Sequence, residues 1–174
     1  MHITHDNLTI RNALPGDATQ LRAWWNDGAV MAHAGFPKGL GTTARKIRKS
    51  LKKDSDDACR RLVVELEGRP IGEMNYRRKD ERTAEIGIKI CDSSEQNKGY
   101  GSTLLHMLVT ALFEDCGFSR IVLDTNANNL RAQHVYEKLG FRRVGMRESA
   151  WKDQLGRWQS AVDYELTKEV WTLP

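Results

Sequence analysis

The chain has 174 residues and a mass of 19.8 kDa, the size of one folding unit. Hydrophobic residues at 40% and charged residues at 29% exclude collagen-like, mucin-like and disordered chains. Lys plus Arg exceed Asp plus Glu by 27 to 23, a net +4 that is too mild to choose between an anionic cofactor and a nucleic acid. No run approaches the about 18 apolar residues of a membrane-spanning helix. The opening MHITHDNLTIRNALP lacks a basic head and an apolar run, so no secretory leader is expected. Cys59, Cys91 and Cys116 are odd in number, far apart and form no CxxC pair. They predict no disulfide framework and no metal site, and fit a reducing, cytoplasmic setting.

In chain order, His2 and His5 fall in a terminus expected to be poorly ordered. Leu8-Thr9-Ile10 reads as a short strand. Pro15-Gly16 turns the chain, and Asp17 with Gln20 has the spacing of a capping box for a helix reaching Asn26. Residues 28–41 carry Gly28, Gly35, Pro37, Gly39 and Gly41 and are expected to be mostly loop. The basic run from Arg45 to Lys53 places Ile47 and Leu51 four apart, a surface helix with one apolar stripe. No aromatic residue interleaves its charges, which weighs against single-stranded nucleic acid as a partner. Arg61–Glu67 and Ile71–Arg77 form a hairpin about Gly68-Arg69-Pro70.

Thr83–Cys91 alternates most clearly. Ala84, Ile86, Ile88 and Ile90 point one way, and Glu85, Gly87, Lys89 and Cys91 the other. A loop over Asp92–Gly99 leads into a helix with Leu104, Leu108, Ala111 and Leu112 on its apolar stripe, with Gly117 at its C-cap. Ile121-Val122-Leu123 is a buried strand. Asn128 or Asn129 caps a helix carrying Ala132, Val135 and Leu139, and two strands near 141–150 and 158–167 close the chain. The pattern predicts a single α+β domain over 1–174, with a mixed, mostly antiparallel sheet of about seven strands and helices on both faces.

The segment Gln96-Asn97-Lys98-Gly99-Tyr100-Gly101-Ser102-Thr103 joins the clearest strand to the longest helix. Its glycines let main-chain N–H groups approach an anion, and the helix start adds unpaired donors and a positive dipole end. It is neither a P-loop, which needs GxxxxGK[ST], nor a complete dinucleotide fingerprint, which needs a third glycine. Alone it reads more readily as an ordinary turn than as a ligand site.

Three features in this order change that weight: a strand ending Ile88-Lys89-Ile90, the string Gln-x-x-Gly-x-Gly, and Asn129-Leu130-Arg131-Ala132 followed by Tyr136-Glu137-Lys138-Leu139-Gly140-Phe141. Together they resemble the GNAT superfamily of N-acetyltransferases, nearest the ribosomal-protein N-terminal and spermidine acetyltransferases. The resemblance covers residues 60–167 and, more loosely, Leu8–Asp27. It implies acetyl-CoA as co-substrate, with the diphosphate held by Gln96, Lys98, Gly99, Gly101 and Ser102. The pantetheine arm would pair with the backbone of Ile88 and Ile90, in a gap where two central strands splay. Asn129 would contact the cofactor or a nearby water; Arg131 would reach a nucleotide phosphate or stay in solvent. Tyr136 takes the position that protonates the departing sulfur, and a backbone N–H near Ile90 the oxyanion position. Many relatives are dimers, so a homodimer is compatible with the sequence, although no diagnostic patch is visible.

Acyl transfer from a thioester needs a neutral amine. A lysine-type amine at pH 7 is ~3.4 pH units, or roughly 4.6 kcal/mol, from that state, and an α-amine about one unit. Glu85 is the first candidate base, since relatives place an acid in its Ala-Glu-Ile context, and its alternative is an ion pair. Glu73, on the adjacent strand, is the second, and two carboxylates sharing a cleft would raise one pKa. Trp25 and Asp27, on or beside the first helix, are candidate acceptor contacts, as are Trp24, Phe36, Trp151, Trp158 and Glu148, with core packing as the aromatics' alternative. His33, His106 and His134 have no partner fixed by spacing and read as structural or exposed. The mild charge leans toward a peptide or protein α-amine. A polyamine, aminoglycoside or amino acid acceptor, and an acyl-CoA sensor without turnover, remain alternatives.

Overall fold

The computed structural model describes residues 1–171. Its eight strands are β1 (His2–His5), β2 (Leu8–Asn12), β3 (Cys59–Leu66), β4 (Arg69–Arg78), β5 (Thr83–Ile90), β6 (Arg120–Asn126), β7 (Arg142–Lys152) and β8 (Trp158–Thr167). They form one sheet in the order β1-β2-β3-β4-β5-β6-β8-β7. All pairings are antiparallel except β5 with β6. The helices are α1 (Ala18–Asn26), α2 (Gly28–Met31), α3 (Ala44–Leu51), α4 (Tyr100–Glu114), α5 (Leu130–Lys138) and α6 (Lys168–Trp171). This is the expected α+β fold.

The eighth strand corrects the reading of a poorly ordered terminus. His5 faces Leu8 across the two-residue turn Asp6-Asn7, with Asp6 at φ 50°. The Met1 ammonium donates to Asn12 Oδ1 at 3.1 Å, which fastens the end of the chain. Three boundaries also differ. Asp17 does not cap α1 with Gln20. It accepts from Leu14 N–H at 2.7 Å and pairs with Arg11 at 2.8 Å, fixing the 3₁₀ turn Pro15–Asp17 instead. The β3–β4 turn is Glu67-Gly68, both at positive φ, so Arg69 and Pro70 lie inside β4. Pro70 is tolerated because the pairing register shifts between Val64 and Glu65, and a bulge spares the missing N–H. The glycine-rich loop begins with α2 and a 3₁₀ turn over Ala32–Ala34 before becoming irregular.

Both faces of the sheet are covered. The alternation of β5 buries Ala84 and Ile86 in one core with Leu104, Leu108 and Leu112 of α4 and Tyr136 of α5. On the other face, Leu21 and Trp24 of α1 meet Ile47 and Leu51 of α3 over Val63 and Cys91. The basic run is therefore the solvated side of an amphipathic helix.

What positions the site is a failure of pairing. β5 and β6 run side by side only over Thr83–Glu85 and Arg120–Val122. Beyond that, β5 stays in register with β4 as far as Ile90, and β6 stays with β8 as far as Asn126. Each strand keeps its antiparallel neighbour, and the sheet opens into a V between them.

Candidate active site

The V leads into a cavity of about 710 Å³, within the usual size for a ligand site. Ile88 and Ile90 line one wall. Gln96, Gly99, Gly101, Ser102, Asn129 and Tyr136 line it too, so the structure brings together most of the residues singled out in the sequence.

The glycine loop explains itself by backbone geometry. Asn97 sits at φ 63° and Gly99 at φ 86°, the left-handed region that Gly enters without a Cβ penalty. Gly99 caps α4 with no side-chain hydrogen bond. Ser102 and Thr103 donate back to Gly99 O at 3.1 and 3.4 Å, but among the described residues the N–H groups of Lys98, Gly99, Tyr100 and Gly101 donate to nothing. Four adjacent unpaired amides at a helix start form a nest for an anion. Gln96 acts from the side: its amide donates to Ile90 O at 2.9 Å and ties the loop to the open edge of β5. Arg131 on α5 donates to Asn97 Oδ1 at 3.0 Å and to Gln96 Oε1 at 3.4 Å, which holds its cation beside the loop. Lys98 behaves otherwise. Its ammonium pairs with Glu95 at 2.9 Å, and Lys98 is not among the residues that line the cavity.

Asn129 is the cap of α5. Its Oδ1 accepts from Ala132 N–H at 3.3 Å, and its Nδ2 donates to Thr125 Oγ1 at 3.3 Å, joining the helix to β6. Two helical turns on, Tyr136 is buried, 7% exposed, and its ring packs on Phe141 and edge-on against Tyr164 at 5.6 Å. Its hydroxyl has no hydrogen-bond partner among the described residues. Burial, with the nearby Asp124 carboxylate adding to it, pushes this phenol up to about 12, so it stays protonated at neutral pH.

The expected base is elsewhere. Glu85 lies outside the cavity walls, paired with Arg77 and with Lys79 at 2.9 Å. Its burial works against the charge, but these two cations prevail and hold its pKa below the usual carboxylate range. Glu73 faces Lys89 in the register and Glu85 faces Arg77. The two acids are thus separated by roughly 13 Å of strand and share no cleft. Glu73 accepts from Trp25 Nε1 at 2.7 Å and from Lys89 Nζ at 3.1 Å, and of these three only Lys89 lines the cavity. Asp27 caps α2 by accepting from Ala29 N–H at 2.8 Å. Neither Glu73, Trp25 nor Asp27 lines the cavity.

Sequence reasoning missed Asp124, which does line it, with Asn126 beside it on β6. Asp124 follows the buried Ile121 and Leu123 toward the carboxyl end of a strand, where open sheets place ligands, and this was the available signal. Arg147 donates to it at 2.6 Å. The 3₁₀ turn carrying His33 packs against β6, and His33 and Trp151 complete the wall.

A nest of unpaired amides, an open strand edge and a neutral phenol in one cavity can hold an acyl carrier and protonate its leaving group. Comparison with known proteins agrees. Residues 7–142 match the acetyltransferase (GNAT) domain. An aminoglycoside N(6')-acetyltransferase type 1 of Klebsiella pneumoniae is 27% identical over 155 residues, covering 82% of this chain and 77% of its own. The fold is that of spermidine N-acetyltransferase from Vibrio cholerae, solved with CoA and spermine, at TM-score 0.86, 24% identity and coverage of 97% and 100%. It is equally that of a ribosomal L7/L12 α-N-protein acetyltransferase in complex with CoA, at TM-score 0.85, 18% identity and coverage of 96% and 98%. The chain belongs to the GNAT family and is an N-acetyltransferase.

Proposed function

We propose that this enzyme moves the acetyl group of acetyl-CoA to a primary amine by direct attack on the thioester. The carrying observation is the coexistence, in one cavity, of four unpaired amides at the start of α4 and the unpartnered Tyr136 hydroxyl. The amides and Arg131 hold the diphosphate, and the free edge of β5 at Ile88 and Ile90 receives the pantetheine arm. A β5 amide in the V supports the oxyanion that forms as the amine nitrogen bonds to the carbonyl carbon. The C–S bond then breaks, and Tyr136 gives its proton to the departing sulfur. Asp124 accepts the amine proton, directly or through water; Glu85, held by two cations outside the cavity, does not.

The acceptor is an amine of low charge, the α-amine of a peptide or amino acid. The cavity walls carry two acids, Glu95 and Asp124, against two cations, Lys89 and Arg131. Such a balanced wall has no field to concentrate a polycation. One observation favours a second reading, an aminoglycoside acceptor: the 27% identity to the Klebsiella enzyme. Release of CoA thiol from acetyl-CoA, followed with a thiol-reactive chromophore against peptides, amino acids, polyamines and aminoglycosides, tests both. Turnover highest with α-amines supports the first reading, and turnover confined to aminoglycosides establishes the second. No release with any amine refutes the assignment of acetyl transfer.

A further inference from the structure

The wall of the cavity away from the nest is assembled from two parts of the chain that are far apart in sequence. Ala29, Val30, His33 and Ala34 come from the segment after α1, and Trp151 comes from the end of β7. These parts are fastened together by Gln154, in the turn between β7 and β8. Its backbone N–H donates to Gly35 O at 2.8 Å. Its side-chain Oε1 accepts from Lys38 N–H at 2.8 Å, and its Nε2 donates to Gly39 O at 3.0 Å. One residue thus supplies three hydrogen bonds to a loop more than a hundred positions earlier.

The turn that presents Gln154 is itself cross-linked by hydrogen bonds to Asp153. Asp153, 7% exposed, accepts from the N–H groups of Leu155 and Arg157, both at 2.9 Å, and from Gln159 Nε2 at 3.0 Å. Gln159 in turn accepts from Asn126 Nδ2 at 2.8 Å, and Asn126 lines the cavity on β6. Below the tie, the Trp151 ring lies so close to Gly35 that a Cβ there would stand 2.3 Å from Cζ3. A hydrogen-bonded belt therefore runs from the open end of β6, through the β7–β8 turn, to the loop after α2. The two walls cannot part without breaking it.

Resting on the acetyl-transfer reading, we propose that Gln154 is a positioning residue that fixes the opening through which the acceptor reaches Tyr136, admitting a slender single-chain amine and turning away a multi-ring one. Gln154 touches neither cofactor nor reacting atoms and acts by holding the loop. Gln154→Ala removes both side-chain bonds. Gln154→Glu keeps an acceptor for Lys38 N–H and loses the donor to Gly39 O, so it serves as a partial rescue.

The test measures kcat and KM for the α-amine of a short peptide and for kanamycin, a three-ring amine, together with KM for acetyl-CoA. In Gln154→Ala the ratio of kcat/KM for kanamycin to that for the peptide is expected to rise at least tenfold, mainly through the acceptor KM. The KM for acetyl-CoA stays within twofold, and Gln154→Glu falls between. A ratio unchanged within twofold overturns the proposal. So does a common loss for both acceptors and acetyl-CoA, which would mark a purely structural role, and so does a wild type that prefers kanamycin. A wild type that turns over neither amine overturns the proposed acceptor range and the role of Gln154 with it, whereas normal turnover with a flat ratio refutes only the role of Gln154.

Discussion

Replacing Tyr136 with Phe removes one oxygen and leaves the ring. The ring contacts with Phe141 and Tyr164 persist, and the lost hydroxyl had no partner among the described residues. Stability is therefore expected to change by less than about 0.5 kcal/mol, a shift of roughly 1–2 °C in Tm for a chain of this size. The chemistry is different. A positioned general acid contributes about 10²–10⁴-fold. Without it the thiolate departs unprotonated, and at the lower bound kcat falls about 100-fold, or roughly 2.7 kcal/mol of barrier. The KM for acetyl-CoA stays near its wild-type value, because the nest and β5 still hold the carrier. Thiol release under saturating substrates measures the first quantity, and a melting curve with and without acetyl-CoA the others. A kcat within threefold of wild type would show that the sulfur takes its proton elsewhere. A large drop in Tm would show that the hydroxyl is structural, and either result refutes the reasoning.

Gly101→Val adds a side chain where no protein atom lies within 4 Å, so Tm without ligand is expected to hold within a few degrees, while the upward shift caused by acetyl-CoA largely disappears. Glu85→Gln is expected to leave kcat within threefold, since Glu85 pairs with Arg77 and Lys79 outside the cavity; a hundredfold loss in thiol release would restore it as the base. Gly35→Ala forces a Cβ against the Trp151 ring at φ 92° and should cost about 1–3 kcal/mol, read as a lower Tm. The Tyr136 phenol is raised to about 12, above its unfolded value near 10. Its linkage contribution is thus intact below pH 10 and lost as pH climbs from 10 through 12. Wild-type Tm should begin to fall above pH 10 and fall less steeply in Tyr136→Phe, and equal slopes in the two proteins would contradict the assignment.

The features legible in the sequence were those carried by backbone chemistry and period. Alternation in Thr83–Ile90 named the core face correctly, and the glycines at 99 and 101 marked the nest because the nest is made of main chain. Features that depend on which strand lies beside which were not legible. Glu85 and Asp124 are both acids on central strands, and only the limited β5–β6 pairing decides that Asp124 faces the cavity and Glu85 does not. His2–His5 has neither a strong apolar alternation nor a turn glycine, and its strand exists because β2 offers an edge. The tie at Gln154 joins positions 115 to 119 apart, a separation on which local pattern is silent.

The parted strands carry a cost that the surrounding side chains partly offset. Separating β5 from β6 removes ladder bonds, and unpaired main-chain groups are expensive unless something reaches them. Gln96 takes the main-chain Ile90 O, whereas Asn129 and Arg131 brace the walls through side chains, at Thr125 Oγ1 and Asn97 Oδ1. Each of these residues was selected from the sequence as a cofactor contact or candidate contact, and each also makes a hydrogen bond within the protein at the wall of the V. They belong to both descriptions because a carrier that completes a strand edge must find that edge exposed and rigid beforehand. On this argument, substitution at Gln96 should weaken carrier binding by letting the edge relax, even where the carrier itself never touches the Gln96 amide.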